Sequence, residues 1–135
     1  MTRPRVICHM IASADGRIVT SEWPLSPAAR RQYELVHASY EPDAWMCGRI
    51  TMEPFAKRMR PEAEVARERA SGGDAPRDDF VAPGDRDSFS FAVDPRGRLA
   101  WESSDIDGDH VVAVLSTRVS DEYLVFLRGR GVSYL

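Results

Sequence analysis

Short apolar runs alternate along this chain with segments that carry helix-start signals, and this alternation restricts the fold more than any other feature. The apolar runs lie near residues 5–12, 44–47, 88–93, 110–115 and 132–135, and the helical segments near 27–39, 51–59 and 120–128. Nearly continuous apolar runs are typical of strands that are covered on both faces. Strands that alternate with helices predict an α/β fold with a mostly parallel sheet flanked by helices.

The chain length and one polar segment set the expected domain organisation. A chain of 135 residues suits a single domain, so we predict one domain over residues 1–135. Residues 61–87 are rich in charge, Pro, Gly and Ala, with Ser71-Gly72-Gly73-Asp74 at the centre. Residues Pro61–Ala70 could form a surface helix, and we predict that the remainder is a mobile connection.

Composition excludes several classes of protein. The formal net charge of −3 argues against a general nucleic-acid binder, which usually has a basic face. The run Val6–Ala12 is too short for a membrane span and contains His9, so we expect no membrane association and a cytoplasmic location. Two cysteines outside any CxxC pair and three histidines do not make a metal site, so no metal is expected.

The chemistry of parallel α/β sheets is expected beyond the carboxyl ends of the strands. Three strand ends carry small or polar residues: Ala12–Gly16, Gly48–Thr51 and Ser116–Arg118. The second and third each open a predicted helix, whose free N–H groups and partial positive charge suit a phosphate. Either one alone would equally suit a plain helix cap. Neither GxGxxG nor GxxxxGK[ST] occurs, so a standard Rossmann site and a P-loop are both unsupported.

Four motifs in order resemble one known family. Met10–Ile18 is similar to the A-S-L-D-G-K/R-I opening of the riboflavin-biosynthesis reductase domain, and Ser21–Trp23 with Ser26–Arg31 resembles its next stretch. Met46–Glu53 resembles the M-G-R-x-T-x-E segment that this domain shares with dihydrofolate reductases, and Val114–Arg118 resembles V-L-S-x-R. The resemblance covers most of the chain outside residues 61–87. It implies the dihydrofolate-reductase-like fold.

The resemblance also implies NADPH as cofactor and hydride transfer to a small-molecule substrate, a phosphorylated ribosylamino-pyrimidine. Carried over by position, the cofactor-binding residues would be Ala12, Trp23, Gly48, Arg49, Thr51, Ser116, Thr117 and Arg118. Ser21 and His37 fall where the family contacts substrate. Asp15 is the candidate catalytic acid, and the alternative is that Asp15-Gly16 only makes a turn. Trp23 and His37 also suit ordinary packing positions.

The chain departs from the family in one respect. The family continues into a strand that ends in Glu-Gly-Gly, and no segment here matches it. We therefore expect the N-terminal portion of the domain, truncated at the C-terminus, with an open apolar strand edge along Val111–Leu115 or Val132–Leu135. Such an edge, like the family, favours a homodimer. Two alternatives stay open: a related reductase with another substrate, and a non-catalytic domain that binds a nucleotide or a protein partner.

Overall fold

A computed structural model of the protein describes residues 3–19, 24–71 and 76–135, without the side chains of 68–71. The chain divides into two compact units, Met1–Pro42 and Asp43–Leu135. In the part of the chain that the structure describes, no helix is long and apolar enough to span a bilayer, and no cluster of His, Cys, Asp and Glu suits a metal ion.

The first unit contains the helix α1, Pro27–Ala38. The Ser26 hydroxyl accepts a hydrogen bond from the Ala29 N–H at 3.1 Å, and Pro27 occupies the first helical position. This start is the one that the Ser-Pro signal predicts, because a free N–H is capped and proline needs no partner there. The helix prediction for 27–39 is therefore confirmed.

The prediction of a strand near residues 5–12 is wrong. Residues 5–12 carry no strand, and the Val6 and Met10 side chains are 86% and 58% exposed. A strand needs a partner for its backbone N–H and C=O groups, and an apolar run does not specify one. The nearest ordered feature is the turn Ser13–Gly16, in which the Gly16 N–H donates to the Ser13 carbonyl at 2.9 Å and Gly16 has φ +83°.

The second unit is built on a five-stranded sheet. Its strands are β1 (Ala44–Gly48), β2 (Phe89–Val93), β3 (Asp105–Ile106), β4 (Asp109–Val114) and β5 (Ser133–Tyr134), and its helices are α2 (Arg49–Ala56), α3 (Glu62–Ser71) and α4 (Asp121–Gly129). The order is β1-β2-β4, and both β3 and β5 pair with β4. Only β3 runs antiparallel. The predicted α/β class with a mostly parallel sheet flanked by helices is confirmed.

One face of this sheet forms the hydrophobic core. Ala92 of β2 and Ala113 of β4 are register partners with no exposed surface, and they belong to one buried cluster with Met52 of α2 and Leu127 of α4. Small residues on the central strands let the helices approach closely, while the larger Met and Leu side chains fill the space above them. This packing fixes where α2 and α4 begin relative to the strands that precede them.

The segment 61–87 is partly helical and partly tied to the sheet. The helix that the sequence allowed over Pro61–Ala70 is present as α3. Phe80 donates to the Tyr134 carbonyl and accepts from the Tyr134 N–H, both at 2.9 Å. The Ala82 N–H donates to the Ser133 hydroxyl at 3.0 Å. Residues 72–75 lie outside the described residues, and the mobility of the connection stays a prediction.

The predicted open strand edge is wrong for both segments that were named. β4 is paired on one side with β2 and on the other with β3 and β5. Tyr134 of β5 is paired on its second side by the bridge to Phe80. β1 is instead one of the two end strands of the sheet path, and β3 is the other. Neither segment therefore offers an open edge for a second copy, and the homodimer stays a prediction.

Candidate functional site

Two of the three predicted strand ends meet at one edge of the sheet. Gly48, Val93 and Val114 are adjacent register partners on β1, β2 and β4. Since these strands are parallel, the residues that follow them emerge on the same side, within about 10 Å of one another at two strand spacings. We call residues 48–51, 94–97 and 116–118 the carboxyl edge. It is the place where ligands of parallel α/β sheets bind.

The start of α2 is open to an anion. Gly48 is its N-cap, and no side chain caps the first turn. No acidic residue lies in that turn, and Thr51 is exposed. A Cβ added at Gly48 would meet nothing within 4 Å, and Gly48 has φ −73°, which any residue adopts. The protein itself therefore does not require glycine here, whereas a ligand that approaches the backbone would.

Arg49 supplies the charge at this helix start. Its side chain is half-buried, and its Nη1 atom donates a weak contact to the Met59 sulfur at 3.8 Å. In residues 3–19, 24–71 and 76–135, no carboxylate pairs with it. A guanidinium without a carboxylate partner beside free helix N–H groups is suited to bind a phosphate.

The first turn of α4 is capped by a side chain of the protein and carries negative charge. The Ser120 hydroxyl accepts from the Tyr123 N–H at 3.2 Å, and Asp121 and Glu122 place two carboxylates in the first turn. Asp121 is buried and pairs with Arg77 at 2.5 Å. Of the two predicted helix starts, that of α2 is therefore the better suited to a phosphate, because it has neither a side-chain cap nor an acidic residue in its first turn.

The residues between β4 and α4 differ in whether their side chains are free to contact a ligand. The Ser116 hydroxyl donates to the Pro95 carbonyl at 2.5 Å and accepts from the Arg118 N–H at 3.3 Å. The Thr117 carbonyl accepts from Arg77 at 3.0 Å, and the Thr117 side chain is exposed. The Arg118 side chain is exposed as well. Arg118 and Thr117 can reach a ligand at the carboxyl edge, while Ser116 holds the turn.

Asp94 is a residue of this edge that the sequence did not single out. It is fully buried, and its Oδ2 atom accepts from the Arg98 and Leu99 N–H groups at 2.6 and 2.8 Å. Its Oδ1 atom is buried without a hydrogen-bond partner among the described residues. The available signal was the Asp-Pro-x-Gly sequence, in which an aspartate commonly accepts from the backbone two or more residues on.

The other predicted site residues lie in the first unit or outside the described residues. Ser21 and Trp23 are not described. Ala12 is exposed. His37 is half-buried on α1, with its ring centroid 6.0 Å from that of His9.

Asp15 is held in its ionised form by the turn that contains it. The Ser13 hydroxyl donates to the Asp15 carboxyl, Arg17 Nε lies 2.9 Å from it, and these contacts lower the Asp15 pKa, the hydroxyl most strongly. A general acid at neutral pH needs a raised pKa instead. The turn interpretation accounts for every contact that Asp15 makes in the structure.

A cavity of about 590 Å³ lies at the opposite edge, where β2 and β4 begin. It is lined by residues 81–82 and 84–87 together with Phe89 and His110. No predicted site residue reaches it. It is therefore separate from the chemistry that the strand ends predict.

Comparison with known proteins identifies no relative. No protein-family model, no curated protein and no solved structure matches the chain. The arrangement of the carboxyl edge is therefore the basis on which a function can be argued.

Proposed function

We propose that this chain is an NADPH-dependent reductase domain of the dihydrofolate-reductase-like kind, resembling the reductase of riboflavin biosynthesis. The observation that carries the proposal is the start of α2. There, an uncapped helix, a glycine with open space above it and the guanidinium of Arg49 lie together beyond a parallel strand. This combination suits a phosphate-bearing ligand.

The residues of the carboxyl edge fit a dinucleotide with several phosphates. Arg49 and the first N–H groups of α2 would hold the pyrophosphate, and Thr51 at the third helical position would add a hydroxyl contact. Arg118, exposed two strands away, would bind the adenosine 2′-phosphate. Ser116 and Thr117 would shape the adenosine end. When bound, the nicotinamide supplies the hydride, and the protein orients it.

The remaining assignments come from the resemblance. Ala12 and Trp23 are proposed to line the cofactor, and Ser21 and His37 to contact a phosphorylated ribosylamino-pyrimidine. We do not assign proton transfer to Asp15, because its neighbours lower its pKa and keep the carboxyl charged. A homodimer and a cytoplasmic location belong to the same proposal.

Titration with NADPH and NADH, followed by nicotinamide fluorescence, tests the proposal. Arg49→Ala should weaken NADPH binding about ten- to a hundredfold, because a charge-assisted contact contributes roughly 1.5–3 kcal/mol. Arg118→Ala should weaken binding of NADPH more than that of NADH, since only NADPH carries the 2′-phosphate. Arg130→Ala is the matched control, because Arg130 is the exposed C-cap at the other end of α4.

The possible outcomes separate the alternatives. Cofactor binding with turnover of a different carbonyl or pterin substrate would indicate a related reductase. If neither cofactor binds at millimolar concentration, or if Arg49→Ala and Arg130→Ala bind NADPH equally well, the reductase proposal is wrong. Failure to bind either cofactor would favour a non-catalytic domain that binds another nucleotide or a protein partner.

A further inference from the structure

Two side chains of the sheet, those of Phe89 and His110, line the cavity at the amino ends of β2 and β4. Phe89 and His110 are register partners on these strands, so their side chains lie on the same face of the sheet. Residues of the segment 81–87 line, with them, an open cavity of about 590 Å³. Pockets that hold small molecules have volumes of this order, roughly 300–1,000 Å³.

The imidazole of His110 takes part in a chain of hydrogen bonds with Ser133 and Ala82. The Ser133 hydroxyl accepts from the Ala82 N–H at 3.0 Å, and its oxygen lies 2.7 Å from His110 Nε2. While it accepts from Ala82, the hydroxyl can donate its own proton to Nε2, and in that tautomer the imidazole proton resides on Nδ1. Burial, followed by the nearby charge of Arg86, lowers the His110 pKa, so the ring stays neutral.

In the tautomer with the proton on Nδ1, His110 has a buried donor without a hydrogen-bond acceptor among the described residues. His110 is 3% exposed, and Nδ1 is buried without a hydrogen-bond partner in the described part of the chain. The Ser104 backbone lies close enough to raise the His110 pKa as a hydrogen-bond acceptor does, but its carbonyl makes no hydrogen bond of normal geometry with Nδ1 and accepts from the Val111 N–H at 2.9 Å. An unpaired buried donor is costly unless a ligand or water supplies the acceptor.

Arg86 adds a second donor to the same cavity. It is half-buried, and its one hydrogen bond is a long contact of 3.4 Å to the Pro83 carbonyl. No carboxylate of the described residues pairs with it. Phe89, Val81 and Ala82 supply an apolar wall beside these donors.

We propose that this cavity binds a small organic monocarboxylate with an apolar body. The carboxylate would accept from Arg86 and from His110 Nδ1–H, and the body would pack against Phe89. Asp85 and Asp87 also line the cavity, and both are exposed. Two carboxylates at the mouth oppose a doubly charged phosphate more strongly than a singly charged ligand. The site is independent of the proposed cofactor edge.

Calorimetric titration of the 135-residue chain with benzoate, without cofactor, tests this assignment. We expect a Kd of about 1 mM, as for a ligand of this size. Arg86→Gln should weaken binding at least about tenfold. Asp87→Asn should tighten it about two- to threefold, because it removes a like charge. Benzamide, which has the same shape without the charge, should bind at least about tenfold more weakly than benzoate.

Opposite effects of Arg86→Gln and Asp87→Asn would support the site, because a change of fold would not move the two in opposite directions. Circular dichroism melts of both variants check that they fold, and Arg86→Met serves if Arg86→Gln does not. The proposal is overturned if benzoate shows no saturable binding up to about 20 mM, if the Arg86 variants bind it as the parent does, or if inorganic phosphate binds more tightly than benzoate.

Discussion

The helices α2 and α4 begin at the same edge of the sheet, but their first turns are stabilised differently. α4 has a serine cap, two acidic residues and an ion pair from Asp121 to Arg77. α2 has no side-chain cap, no acidic residue and an arginine without a carboxylate partner among the described residues. The start of α4 carries a cap and negative charge that disfavour an anion, whereas the start of α2 leaves its N–H groups and Arg49 to a ligand.

The same contrast holds for the two glycines of the carboxyl edge. Gly97 has φ +64°, and a Cβ there would lie 2.5 Å from the Tyr123 ring. Gly48 has an ordinary φ and open space where a Cβ would point. Glycine is needed at 97 for folding, and at 48 no such need exists. The comparison teaches that similar strand-turn-helix sequences can serve either the fold or a ligand, and that neighbouring contacts distinguish the two cases.

The largest expected effect is that of Gly97→Ala. We expect a loss of about 2–4 kcal/mol in the free energy of unfolding, because the left-handed backbone disfavours alanine and the new methyl group displaces Tyr123. Tyr123 would lose its hydrogen bond to the Leu99 carbonyl, now 2.8 Å. Chemical denaturation measures the change. Gly48→Ala is the matched control, and an equal loss in both variants would remove the distinction between the glycines.

Asp121→Asn should have the next largest effect. It keeps the shape of a buried side chain but removes the charge that pairs with Arg77 and interacts with the helix N-terminus. We expect a loss of about 1–3 kcal/mol in unfolding free energy. The Arg77→Gln variant should lose a similar amount, and the double variant should lose less than the sum. Additive losses in denaturation would show that the two residues act independently.

Ser120→Ala should cost about 1 kcal/mol of unfolding free energy, because it removes the cap on the Tyr123 N–H. At the other helix, Gly48→Ser should change stability by only a few tenths of a kcal/mol. If the proposed cofactor approaches this backbone, Gly48→Ser should still weaken NADPH binding. A variant that loses neither stability nor binding would contradict the role given to the open space at Gly48.

The smallest expected effect on stability is a gain from Thr51→Asp. A carboxylate in the first turn of α2 should raise the unfolding free energy by about 0.3–1 kcal/mol through the helix dipole. The same charge should repel a phosphate and weaken NADPH binding. Thermal melts and fluorescence titrations measure the two effects, and Thr51→Asn controls for shape. Tighter NADPH binding by Thr51→Asp would contradict the phosphate assignment.

The elements that could be predicted are those whose signals are local. The Ser26-Pro27 start of α1 and the apolar run that became β4 were both found from a few neighbouring residues. The run Val6–Ala12 has the same local character, and it fails because strand formation depends on a partner. The hairpin between β3 and β4 was missed although Asp107-Gly108 signals it, with φ of 52° and 98°.

The sequence could predict which residues of the site lie together only where the order and direction of the strands determine it. The carboxyl ends of parallel strands must share an edge, so Gly48 and Ser116 could be grouped from the sequence. The contacts that distinguish α4 from α2 could not, because Arg77 and Asp121 are far apart in the chain. The same is true of His110 and Ser133, whose pairing depends on the register of β4 and β5.

The bridge between Phe80 and Tyr134 has a consequence for hydrogen exchange. The Tyr134 N–H is bound to Phe80, and the Leu135 N–H is bound to Ala113 on the opposite side. Each amide proton is bound to a different flanking segment, so detaching the 76–82 segment releases the Tyr134 proton and detaching β4 releases the Leu135 proton. Exchange of the two protons should therefore report two separate openings, that of the 76–82 segment from β5 and that of β5 from β4, and equal exchange rates would indicate that β5 separates from both at once.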